Sequence, residues 1–214
     1  MKLIIGNKNY SSWSLRPWLL LKQFKVDFDE IRIPLYLENS KAELLKHSPS
    51  GKVPALIDKE LNIWDSLAIC EYIADCFPEF HCWPKDLQDR ALARSISHEM
   101  HSGFMAIRNT LPMNCRKSIQ YNVELKELQQ DIDRILEIWQ NCRNKYAFKG
   151  PYLFGEFSIA DAMYAPIVLR FNSYGIKVDG IQKEYMQNIL DLPSINEWIS
   201  DGLIEVESIE MFEI

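Results

Sequence analysis

Tyr10-Ser11-Ser12-Trp13-Ser14-Leu15-Arg16-Pro17 stands between two apolar stretches of different character, and the reading of this junction decides the fold. Lys2 to Ile5 before it reads as a short strand, whereas Leu15 to Phe24 after it has the apolar density of a buried helix. The serines therefore sit where a strand hands over to a helix. Unpaired N–H groups and the helix macrodipole favour an anion at such a point, and a serine hydroxyl there can donate to a bound thiolate. The plainer alternative is that Ser14 caps the helix while Ser11 and Ser12 belong to the loop.

Working outward, Phe28, Ile31 and Ile33 fit a second strand, Ala42 to His47 a short helix, and Ala55 to Ile57 and Leu61 to Trp64 two further strands. A helix from Ser66 to Cys76 closes the unit. The order βαβαββα gives a mixed sheet covered by helices, a thioredoxin-like α/β domain over residues 1–80. Residues 81–86 form the linker, and residues 87–214 an all-α helical domain. Helices are expected at about 87–110, 159–174, 182–190 and 194–203. Another is marked by the stripe Leu125, Leu128, Ile132, Ile135, Leu136 and Trp139.

Composition narrows the partners. With 47% hydrophobic and 25% charged residues the chain has ordinary globular usage, and a net charge of -6 speaks against nucleic acid as a partner. No apolar run reaches the ~20 residues of a membrane span, and the opening residues are too weakly apolar for a secretory signal. A cytoplasmic protein without membrane attachment is expected. Cys70, Cys76, Cys82, Cys115 and Cys142 are odd in number and lack CxxC spacing, which suits reduced thiols.

Two further motifs carry chemistry. In Ser50-Gly51-Lys52-Val53-Pro54-Ala55-Leu56 a proline immediately precedes a strand. A cis Val53–Pro54 bond would leave the Val53 N–H and C=O free to pair with an extended peptide; an ordinary trans turn is the alternative. Asp65-Ser66 opens the next helix. Ser66 as N-cap would leave backbone N–H groups for a carboxylate and Asp65 would hold an ammonium, unless the pair simply caps the helix.

Taken in this order and spacing, the three motifs resemble the cytosolic glutathione transferases, and Ser158-Ile159-Ala160-Asp161 matches that family's internal capping box. The resemblance implies that Ser11 or Ser12 activates the glutathione thiol, with Ser11 the first choice. It places Lys52 at the glycyl carboxylate, Val53 beside the family's cis-proline Pro54 at the cysteinyl backbone, and Asp65 with Ser66 at the γ-glutamyl end. Glutathione would be the co-substrate, with no metal, and the protein a homodimer acting on a small electrophile.

Within the family, Ser11 to Arg16 is most similar to the serine-type zeta class, with Trp13 replacing its cysteine. The arginine that class uses to hold a substrate carboxylate falls at Ser173, leaving Arg170 or Arg108 as substitutes. The alternatives are thus a cis–trans isomerase of the maleylacetoacetate type, or a glutathione-binding protein without turnover. The electrophile pocket is expected around Trp13 and along His98, His101, Ser102, Met105 and Arg108. His98 and His101 share the i, i+3 spacing of a metal pair, but the sequence offers them no further ligands.

Overall fold

Strand β1 (Lys2–Ile5) lies inside a four-stranded sheet of order β2-β1-β3-β4, in the computed structural model, which describes residues 1–122 and 125–213. It pairs in parallel with β2 (Asp29–Arg32), Lys2 opposite Asp29, and antiparallel with β3 (Ala55–Asp58), Leu3 opposite Leu56. β4 (Leu61–Trp64) adds antiparallel to β3. Leu3, Ile4 and Ile5 are all fully buried because both sheet faces are covered. Alternation then divides them. Leu3 and Ile5 join the main core, while Ile4 packs with Ile33, Leu44 and Ala55 in a smaller one on the other face.

Helix α1 (Ser12–Gln23) packs against α3 (Ser66–Cys76) on one side and α7 (Ile159–Ser173) on the other. This double burial explains its continuous apolar run. It begins three residues before the expected start because Ser11, not Ser14, is the cap: the Ser14 N–H donates to Ser11 Oγ at 3.4 Å. The short α2 (Ser40–Leu45) covers the smaller core. α3 has the expected bounds, but Asp65 rather than Ser66 caps it, accepting from the N–H groups of Leu67 at 2.9 Å and Ala68 at 3.2 Å.

The remaining elements are helical: α4 (Leu87–Ser102), α5 (Met105–Thr110), α6 (Lys126–Tyr146), α7, α8 (Gly180–Leu190) and α9 (Pro193–Ile204). The helix expected over 87–110 is two helices. At the break Phe104 turns left-handed with φ 59°, and a Cβ on Gly103 would meet the Glu99 carbonyl oxygen at 2.9 Å. Hydrophobic periodicity reports which side is buried, so it ran on across a backbone break. α7 is buried along its length, and its capping box is present: Asp161 accepts from Ser158 N–H and Oγ, each at 2.9 Å, and from Leu153 N–H. Burial lifts the Asp161 carboxyl to about 6.

Residues 205–213 return from α9 to the sheet-bearing layer and include a 3-10 turn at Glu210–Phe212. No helix of the described residues is long and apolar enough to cross a membrane. All five cysteines are free.

Candidate functional site

The loop Gly6–Ser11 carries the chain from β1 into α1 and opens on a cavity of about 620 Å³, within the range of small-molecule sites. Ser11, Ser12 and Trp13 line it from the start of α1; Lys52 and Val53 line it from the loop before β3. Arg108 of α5 and Arg170 of α7 reach it from the helical domain. The lining also includes Lys41 but no Asp or Glu among the described residues. In a chain of net charge -6 this is a locally cationic cleft, arranged for an anionic ligand.

The two serines have different hydrogen-bonding roles. Ser11 Oγ accepts from Ser14 N–H and donates to Ser14 Oγ at 2.7 Å, and Ser14 Oγ in turn accepts from Gly6 N–H at 3.1 Å. Its proton is therefore engaged. Ser12 Oγ accepts from Arg170 Nη2 at 3.3 Å, and its own proton has no acceptor among the described residues. A hydroxyl held this way is set to donate to an anion in the cavity. Both side chains are largely buried, so the donor is not dispersed by water.

Behind the serines lie three guanidinium groups. Arg170 also donates to the carbonyls of Leu111 at 2.8 Å and Pro166 at 3.2 Å. Arg16 and Arg108 stand over the Trp13 ring at 4.3 Å and 4.7 Å from its centroid. Burial brings Arg170 down to about 9, with repulsion from Arg108 second. Burial likewise lowers Arg16 to about 9, assisted by Arg108 and Arg170. Arg16 and Arg170 remain cationic at neutral pH, so repulsion within the group is relieved by an anion that enters.

The Val53–Pro54 peptide bond is cis. No backbone hydrogen bond from another described residue engages the Val53 N–H or C=O, which leaves both for an extended ligand. Asp65 and Ser66 lie outside the cavity wall. Ser66 is buried and its Oγ accepts from Arg16 Nη1 at 3.4 Å. Asp65 is exposed, φ 77°, with Oδ2 3.0 Å from His101 Nε2. Burial holds His101 below the usual imidazole range, against the pull of Asp65.

Most of the residues expected to form a pocket along α4 do not line this cavity. His98 is exposed with Nδ1 on the Arg94 carbonyl, Ser102 Oγ donates to the His98 carbonyl, and Met105 is exposed at the start of α5; none lines the cavity. The turn at Gly103–Phe104 redirects the chain, so only Arg108 of that group reaches it. His101 contributes indirectly, packing edge-on to Trp13 at 5.3 Å. Ser173, at the expected arginine position, donates to the Asn114 carbonyl, whereas Arg170 one turn earlier faces the cavity. Tyr10, Tyr36 and Phe212 complete the wall and carried no local signal, since their convergence depends on distant parts of the chain. Among the described residues no group of three or more His, Cys, Asp or Glu is placed to hold a metal.

Residues 10–76 match the family described as Glutathione S-transferase, N-terminal domain. A glutathione S-transferase 1 from Dianthus caryophyllus is 29% identical over 180 residues, covering 82% of this chain and 80% of that protein. A probable maleylacetoacetate isomerase from Caenorhabditis elegans is 28% identical over 166 residues, 77% of this chain and 76% of that one. The crystal structure of a glutathione transferase homologue from Burkholderia gl BGR1, with bound glutathione, shares the fold at TM-score 0.72 and 22% identity, covering 95% and 98% of the two chains.

Proposed function

Because the chain belongs to the glutathione S-transferase family, we propose that it is a glutathione transferase that holds the tripeptide's thiol as thiolate and delivers it to a small electrophile in the cleft between the two domains. The observation that carries this reading is Ser12, whose acceptor side is taken by Arg170 and whose proton is left for the cavity. Lowering a thiol pKa by ~2 units calls for about 2.7 kcal/mol of preference for the thiolate. A hydroxyl donor, the α1 N-terminus and the guanidinium groups of Arg108 and Arg170 act in the same direction. Val53 offers its backbone to the cysteinyl unit, Pro54 fixes that turn, and Lys52 with Lys41 faces the glycyl carboxylate. Ser66 and Asp65 receive the γ-glutamyl end.

Two measurements test the reading together. Calorimetry with glutathione is expected to give a dissociation constant between micromolar and millimolar, and a small aryl halide is expected to be conjugated. No heat at ~10 mM glutathione, where a millimolar site is nearly saturated, would exclude the function.

A second reading has one observation in its favour. Arg108 and Arg170 present two cations to the cavity, and a carboxylate-bearing alkene such as maleylacetoacetate would find there the partner its charge requires. Thiolate addition to the activated double bond, rotation and elimination would isomerise it and return glutathione unchanged. Assay of both substrates with one preparation separates the readings, and isomerisation abolished in Arg108→Ala or Arg170→Ala would establish the second. The family also suggests a twofold dimer in the cytoplasm, with a role in detoxification. The exposed apolar residues Leu61 and Trp64 of β4 and Leu87 and Leu92 of α4 are suited to being covered in a dimer. Light scattering at the mass of a single 25.1 kDa chain would refute that association.

A further inference from the structure

Glu205 follows α9, far from the serines in sequence, yet its side chain is only 5% exposed and is spent on the loop that aims them. Oε1 accepts from Lys8 N–H at 2.7 Å and Oε2 from Asn9 N–H at 3.1 Å, so one carboxylate holds two consecutive amides. Two residues later the chain turns into α1, with Tyr10 and Ser11 N–H groups both on the Asn7 carbonyl.

The carboxylate is itself held. Arg116 donates to the carbonyls of Gly202, Glu205 and Glu207, and Arg32 Nη1 lies 3.5 Å from Glu205 Oε1. The approach is close enough that a Cβ on Gly202 would meet Asn9 N at 3.1 Å. Lys8 Nζ, buried between the rings of Trp18 and Trp198, pairs with Glu30 at 2.9 Å and Asp201 at 2.7 Å. Asn9 Nδ2 donates to Asn114 Oδ1. The loop is thus held from the helical domain through Glu205, Asp201, Asn114 and Trp198, and from the sheet-bearing domain through Glu30 and Trp18.

We propose that Glu205 is a positioning residue: it fixes the Lys8–Tyr10 backbone and through it the aim of Ser12 at the bound thiol. This rests on the glutathione transferase reading above. The test is Glu205→Gln, in which the amide NH₂ cannot accept and one loop N–H loses its partner. The two explanations of any effect have opposite signs. Removing a negative charge near the site would by itself lower the thiol pKa, whereas loss of aim raises it.

Ultraviolet titration of glutathione bound to Glu205→Gln is expected to show a thiol pKa higher by about half a unit or more, with kcat/KM at neutral pH down about threefold, since a pKa rise cuts the thiolate fraction. Glutathione affinity should stay within about twofold, because the loop amides do not touch the tripeptide's charged ends. Glu207→Gln, on the same segment but paired with Arg32 rather than the loop, should titrate as the unsubstituted protein does. A Glu205→Gln thiol that titrates unchanged or lower overturns the proposal. If that variant does not fold, Glu205→Asp, which keeps the charge and draws it back by one methylene, must show the same upward shift or the proposal falls. Failure of the unsubstituted protein to bind glutathione would instead overturn the parent reading, and this one with it.

Discussion

The sulfur end and the γ-glutamyl end of the proposed tripeptide site are built by different means. At the sulfur end Ser11 and Ser12 are buried, Arg170 comes from α7 and Arg108 from α5, and Glu205 steadies the loop from beyond α9. At the γ-glutamyl end Asp65 is exposed, caps its own helix and pairs with His101 of the helical domain. A charge or hydroxyl that must change a pKa is kept dry and held by several elements. One that only adds affinity can stay in water, where Coulomb attraction is weak and cheaply replaced. Substitutions at the two ends should therefore differ in kind as well as in size.

The largest effect is expected at Ser12. Ser12→Ala should raise the pKa of bound glutathione's thiol by a unit or more, about 1.4 kcal/mol of lost preference for the thiolate, and lower kcat/KM at neutral pH about tenfold. Ser11→Ala should shift the thiol less, because its proton is already given to Ser14, and should instead cost about 1 kcal/mol of stability as a lost helix cap. Thiol titration and thermal unfolding of both variants separate the roles. The reverse pattern would mean that Ser11 turns outward when the ligand binds, and the two hydroxyls exchange tasks.

Asp65→Asn should act more gently. Asparagine keeps the oxygen that caps α3 and tolerates the left-handed φ of 77°, so folding is expected to be nearly unaffected. Only the charge is lost, at a side chain 44% exposed, and glutathione affinity should fall about threefold to fivefold, less than 1 kcal/mol. Calorimetry checks it. A loss of a hundredfold would show that the γ-glutamyl end dries out on binding and is as tightly built as the other.

What was legible in the sequence was local. The strands at Lys2–Ile5 and Leu61–Trp64 and the helix Ser66–Cys76 follow from apolar runs bounded by polar residues, and the Ser158–Asp161 capping box is a pattern spanning four residues. The junction of strand and helix at Ser11–Ser12 was readable for the same reason. Which serine carries a free proton was not, because Arg170 answers that from 158 residues away. His98, Ser102 and Met105 lie off the cavity wall for a related cause: helical periodicity passes through Gly103–Phe104 without marking the turn after which Arg108 lies on that wall. Glu205 had no sequence signal, since an acidic residue after a helix ordinarily faces water.

The smallest effect, and the one that probes the contact between the two ends, concerns His101. Its imidazole packs on Trp13 at the sulfur end and donates toward Asp65 at the other. Burial keeps its folded-state pKa below the ordinary ~6.5, with Arg16, Arg108 and His98 adding to the depression and Asp65 opposing it. Below pH ~6.5 the unfolded chain takes up a proton that the folded protein resists, so this contribution to stability is complete above that pH and is lost as pH falls through the folded value. Asp161, lifted to about 6 by burial, acts in the opposite sense, because its folded form binds the proton more readily than the unfolded chain does. Comparing the unsubstituted protein with His101→Gln cancels the Asp161 part, which both share, while glutamine still offers Asp65 an N–H. The unsubstituted protein should lose more melting temperature between pH 7.5 and 5.5 than His101→Gln, by on the order of 2 °C for a chain of this size. Equal losses would mean that His101 takes up its proton as freely folded as unfolded, with Asp65 fully compensating its burial, and the two ends of the site would then be electrostatically joined.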